Sequence, residues 1–92
     1  MELTEIKSLE SFILEDVEVA ILDKDGEDLA PFVKKAVFKT ELCPDKTHLR
    51  IYFDRLRFFA VPLTAEVAIS DDIWSAFDPQ SGLTYVVKKG MV

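Results

Sequence analysis

Apolar side chains near the start of the chain recur at intervals of three and four: Leu3, Ile6, Leu9 and Ile13, with Phe12 beside the last. Glu5, Lys7, Ser8 and Glu10 fall between them, and this spacing predicts an amphipathic helix. Thr4 is a candidate cap, but Lys7 stands where a capping box needs Glu or Gln, so the start is weakly specified. From Val17 the period drops to two. Val17, Val19 and Ile21 alternate with Glu18 and Ala20, and Asp23-Lys24-Asp25-Gly26 supplies a turn.

A second strand is expected from Val33 to Leu42, with Ala36, Phe38, Thr40 and Leu42 inward and Lys35, Val37, Lys39 and Glu41 outward. Cys43-Pro44-Asp45-Lys46 is turn chemistry, Pro being pre-set for the first corner. The return strand places Leu49, Ile51 and Phe53 on one face and His48, Arg50 and Tyr52 on the other. Phe58 to Val61 reads as a further strand, ended or held at an edge by Pro62. Asp54-Arg55 is poor chemistry for a two-residue hairpin, so a bulge or a bent continuous strand fits equally well there.

Residues 65–77 fit two patterns. Val67, Ser70, Ile73, Trp74 and Phe77 make a helical stripe, while Ala65, Val67 and Ile69 make a strand. Strand is favoured for the first half, because Glu66-Val67-Ala68-Ile69 repeats Glu18-Val19-Ala20-Ile21 at an offset of 48 residues. Asp71 and Pro79 match Asp23 and Pro31 at the same offset, although chance explains so short a repeat better than duplication does. Asp78-Pro79-Gln80-Ser81-Gly82 matches a type I turn followed by a left-handed Gly, joining a strand around 73–77 to Leu83–Val87, which Lys88-Lys89-Gly90 ends. The pattern predicts a mainly β (α+β) fold: a small curved antiparallel sheet or barrel of five to six short strands with one N-terminal helix, in a single domain over 1–92.

With 49% hydrophobic and 11% aromatic residues and only three Gly, the chain has enough apolar surface to fold rather than stay disordered. The single cysteine, Cys43, excludes an intramolecular disulfide and fits a reducing compartment. The acidic start lacks an apolar stretch of signal-peptide length. The longest apolar run, Phe58 to Leu63, is far below the ~20 residues of a membrane span, so a cytoplasmic protein with no membrane partner is expected.

The net charge of −6 hides an asymmetry: −8 over residues 1–30, +4 over 31–60 and −2 over 61–92. The favoured explanation is that the acidic first third neutralises the basic middle third inside the fold. A partner-binding face is the other.

Most chemistry is excluded by residue type. Glycines at 26, 82 and 90 make no phosphate-cradling loop. One histidine precludes paired-histidine zinc motifs, and Cys43 with His48 supplies two of four ligands. As a nucleophile pair, Cys43 and His48 lack a third group to orient the imidazole. Asp23-x-Asp25-Gly26 fails as a calcium loop, since Ile21 and Phe32 fall where carboxylates are required. Asp71 and Asp72 are adjacent, so in a strand they face opposite sides and in a turn they are simply solvated. No catalytic residue, metal site, cofactor or small-molecule substrate is expected.

The positive feature is the central hairpin. Arg50 and Tyr52 share an outer strand face, Lys35 and Lys39 are placed beside them, and Arg55, Arg57 and Phe59 follow. Bases interleaved with aromatics suit single-stranded nucleic acid, although Arg and Lys stems covering an apolar sheet face give the same pattern and are the favoured reading. Trp74 reads first as core and second as a docking anchor or the lip of a ligand-binding barrel. The expected function is a non-catalytic protein-interaction module, binding a protein partner or itself as a homodimer. Single-stranded nucleic-acid binding through Arg50, Tyr52, Arg55, Arg57 and Phe59 is the alternative.

Overall fold

The computed structural model describes residues 1–13, 15–25 and 28–89, with the backbone alone at 28–31. The expected turn and strand-end glycines Gly26 and Gly90 lie outside the described residues. The chain opens with helix α1 (Leu3–Ser8), tightening into a 3-10 turn over Leu9–Phe12. Glu2, rather than Thr4, precedes the helix: its N–H donates to Glu5 Oε1 at 2.8 Å, and its carbonyl accepts from the Glu5 and Ile6 N–H groups. Leu9 and Phe12 are buried, whereas Leu3, the first member of the predicted stripe, is exposed. Ile6 and Ile13 are partly buried against the core, so the stripe from Ile6 onward turns inward.

Among the described residues eight strands follow, where five to six were expected: β1 (Asp16–Leu22), β2 (Asp28–Ala36), β3 (Lys39–Leu42), β4 (His48–Tyr52), β5 (Phe58–Pro62), β6 (Glu66–Ile69), β7 (Ile73–Phe77) and β8 (Thr84–Lys89). They form two antiparallel sheets, a five-stranded one in the order β2-β1-β8-β7-β6 and a three-stranded one in the order β3-β4-β5. The expected mainly β fold with one N-terminal helix is observed, with its strands divided between two sheets rather than closed into one barrel.

Both sheets share one core. Val17, Val19, Trp74, Ala76 and Val87 come from the larger sheet, Leu49, Ile51 and Val61 from the smaller, and Leu9 and Phe12 from the helical segment. The opposite alternation leaves Glu18, Lys34, Ser75, Val86 and Lys88 on the outer face of the larger sheet. β1 and β2 pair with two register shifts, between Val19 and Ile21 and between Ile21 and Leu22, which bend this long edge strand.

The predicted single strand over 33–42 is two strands in different sheets. The chain crosses between them at Val37, which is fully buried and bridges to Ile13 in parallel. Phe38 then donates its N–H to the Tyr52 carbonyl at 2.7 Å, while Lys39 also pairs with Tyr52. Two residues opposite one invert the alternation upstream of this point. Val37, expected outward, is therefore core, and Phe38, expected inward, is exposed.

The connection 53–57 closes a hairpin, one of the alternatives that the sequence left open. Phe53 N–H donates to the Arg57 carbonyl at 2.9 Å, and Asp54 Oδ1 accepts from the N–H groups of Leu56 and Arg57 at 2.7 and 2.8 Å. One carboxylate thus does what a two-residue turn would need positive φ to achieve. Residues 66–69 and 73–77 are strands. The repeated tetrapeptide occupies an inner strand in one copy and an edge strand in the other, so the repeat has no counterpart in the topology. In the last hairpin Gly82 has φ 77°, as the left-handed corner requires, and a Cβ there would meet Lys24 Cβ at 3.0 Å.

Candidate interaction surface

The outer face of the three-stranded sheet is built by register. Lys39 lies opposite Tyr52 and Glu41 opposite Arg50, while Tyr52 and Arg50 lie opposite Phe58 and Ala60 on the other side. Arg50 and Tyr52 meet as the alternation predicts: Arg50 Nη1 donates to the Tyr52 hydroxyl at 3.2 Å. That bond holds the guanidinium above its ordinary pKa. The Arg50 guanidinium carbon also lies 4.9 Å from the centre of the Phe58 ring, and Lys39 Nζ lies 4.9 Å from that of Tyr52. The two rings are themselves 4.9 Å apart. Tyr52 is only 9% exposed beneath this layer, while Phe58 is 39% exposed. The cations occupy the π-faces that base stacking would use, an arrangement of charged stems over an apolar face.

The remaining expected residues are not brought onto this face. Phe59 points inward, its ring 4.8 Å from Phe53 in a T-shape and 5.8 Å from Tyr85. Phe58 takes the place that the sequence reading gave to Phe59, because the hairpin loop is closed at Phe53 and Arg57, a register the ambiguous turn left open. Arg55 and Arg57 are exposed on the 53–57 loop beside Leu56, which is 88% exposed. Lys35 is on β2, in the other sheet. Trp74 is fully buried and donates its indole N–H to the Glu5 carbonyl at 3.0 Å, so it is core and presents no docking surface.

Two hollows flank β5. One, about 430 Å³, lies on the outer face and is lined by the 43–47 turn with His48, Arg50, Phe58 and Ala60. In that turn the buried Cys43 thiol donates to Asp45 Oδ1 at 2.8 Å, and Thr47 donates to the same oxygen from its hydroxyl and its N–H. These donors hold Asp45 down to about 2. His48 Nδ1 contacts the Thr47 hydroxyl at 2.8 Å. Cys43 and His48 are thus both engaged by the turn's own hydrogen bonds.

The other hollow, about 290 Å³, opens between the sheets. Val19, Val33 and Lys35 line it from the larger sheet, and Phe53, Arg57 and Phe59 from the loop and β5. Trp74 lines neither hollow.

A second apolar surface was not singled out by the sequence pattern. On the outer face of the five-stranded sheet, Phe32, Ile73 and Phe77 are each more than a third exposed. Lys88 Nζ sits 4.6 Å from the centre of the Phe32 ring and 3.7 Å from Glu18 Oε2, and the buried Val86 lies on β8, the neighbour of β7. The signal was present as Ile73, Ser75 and Phe77 at alternate positions, masked by the competing helical stripe through Trp74.

Among the described residues no group of three or more His, Cys, Asp or Glu side chains gathers as a metal site, and no helix is long and apolar enough to cross a membrane. No family model matches the chain, and neither a curated protein nor a solved structure is found to be similar to it.

Proposed function

We propose that the protein is a non-catalytic interaction module that self-associates as a homodimer through the outer face of its five-stranded sheet. The observation that carries this reading is the apolar set Phe32, Ile73 and Phe77 on that one face, together with Val86. Scattered exposed apolar residues need no explanation, but three on one sheet face, with the buried Val86 on the same side, support a contact surface. Glu18, Lys34 and Lys88 put both signs of charge on the same face, which suits an isologous contact in which each patch meets its own copy. We assign the protein to the cytoplasm, a location supported by its one, unpaired thiol. Light scattering across a concentration series tests the reading. A mass that rises to twice 10.5 kDa is expected, and the monomer mass at every concentration would overturn it.

Single-stranded nucleic acid is the second reading, favoured by Arg55 and Arg57 standing exposed beside Phe58. It requires binding that weakens steeply with salt, and no oligonucleotide binding at low salt removes it.

A further inference from the structure

We propose that the open edge of β5 docks an extended polypeptide segment of alternating apolar and acidic side chains, added to the small sheet as a fourth strand. The backbone directions of β5 follow from its register. Leu63 N–H donates to the Thr47 carbonyl and Phe53 N–H to the Arg57 carbonyl, so the residues that exchange hydrogen bonds with β4 are those in phase with these two pairs. Phe59 and Val61 are in phase. Phe58 and Ala60 are out of phase, and their N–H and C=O groups face away from β4, where the described residues provide no further strand.

The edges of the fold are not alike. β2 carries Pro31, Lys34 and Lys35 and two register shifts, β3 carries Lys39, and β6 is only four residues long and begins with Glu66, all devices that discourage strand addition. β5 has no charge of its own, and its Pro62, in phase with Phe58 and Ala60, offers the open edge a carbonyl but no N–H, so the added strand pairs with Phe58 and Ala60. Successive side chains of an added strand point to opposite faces of the sheet, and β5 has a hollow on each face. The inner one offers Val33 and Phe59 to an apolar side chain. Cations surround the edge: Lys35 and Arg57 at the inner hollow, Arg50 at the outer one, Arg55 on the adjoining loop. The carboxylates nearby are two, Asp54 and Asp45, against these four cations, and the Oδ1 of each is already engaged by the donors of its own turn. The edge is therefore locally basic on a chain of net charge −6, which selects acidic side chains in the added strand.

The test uses the whole protein with a short blocked peptide in which glutamate and valine alternate, a matched lysine–valine peptide and an oligothymidylate. Binding is read from the amide NMR signals and hydrogen exchange of Phe58 and Ala60. The glutamate–valine peptide is expected to shift both signals and slow their exchange, and the lysine–valine peptide to leave them unchanged. Ala60→Pro removes an outward N–H without touching the β4 ladder, and is expected to weaken binding about tenfold or more. Arg57→Glu should weaken it through charge with the edge intact. Absence of protection at Phe58 and Ala60, equal response to the lysine–valine peptide, unchanged affinity in Ala60→Pro, or oligothymidylate binding at this edge instead would each overturn the proposal. Self-association through the larger sheet is read separately, from the mass of Ala60→Pro, so the two claims fail independently.

Discussion

Trp74 and Glu5 are joined by a hydrogen bond from the indole Nε1 to the Glu5 carbonyl, 3.0 Å long and spanning 69 positions of sequence. It ties β7 to the helix whose following turn delivers Leu9 and Phe12 to the core, and it satisfies the one polar atom of the largest fully buried side chain. Native fluorescence should therefore be that of a buried indole, moving to the red on unfolding. Trp74→Phe should cost about 1–3 kcal/mol in urea unfolding, combining lost volume with an unpaired carbonyl. Emission typical of solvated indole in the native state would contradict this placement.

Phe58 and Phe59 are neighbours with opposite roles. Phe59 packs edge-on against Phe53 and faces Tyr85, whereas Phe58 lies on the outer face beneath Arg50. Phe59→Ala is expected to cost about 2–4 kcal/mol and Phe58→Ala about 1 kcal/mol or less. Denaturation midpoints at unchanged slope would measure the difference.

The same kind of contrast marks the crossing between sheets. Val37→Ala should cost about 2 kcal/mol and Phe38→Ala about 0.5 kcal/mol, the reverse of what uniform alternation through 33–42 implies. Equal losses would mean that the strand is not interrupted there.

Elements whose turns carry their own chemistry were legible in the sequence. Cys43 to Lys46 and Asp78 to Gly82 announced their hairpins, and the strands they join were read with the correct inward residues at Leu49 and Ile51. What failed was phase. A single extra residue opposite Tyr52 exchanged Val37 for Phe38, and a loop closed by the Asp54 carboxylate exchanged Phe59 for Phe58 on the outer face. The bulge has no signature in residue type, because it is a property of the pairing and not of one strand, and Asp54 signals a turn without fixing how many residues it spans. The candidate site was legible in the same measure: Arg50 and Tyr52 meet and Trp74 is core, its first reading, while Phe59 lies inward because its phase was set by the register of the hairpin.

Three carboxylates predict the acid behaviour. Asp45 is held at about 2 by the Cys43 thiol and the Thr47 donors, below its ordinary 3.8. Asp54 is lowered by the Leu56 and Arg57 N–H groups, and Asp78 chiefly by the Ser81 hydroxyl. Each contributes stability that is fully present above the unfolded value and is lost as pH falls through the folded one, so for Asp45 the loss runs from about pH 4 to about pH 2. Thermal melts over that range should show a falling midpoint, and Asp45→Asn should flatten the fall.

The most direct test of the interaction account is sedimentation velocity of the wild type beside Phe77→Lys and Ile73→Lys. Both positions are exposed on the outer face of the five-stranded sheet, so the substitutions leave the core intact. The account predicts a concentration-dependent dimer for the wild type and a folded monomer for each variant. A wild type that sediments as a monomer throughout, or variants that dimerise as well as it does, would contradict the claim that this face is where the protein binds.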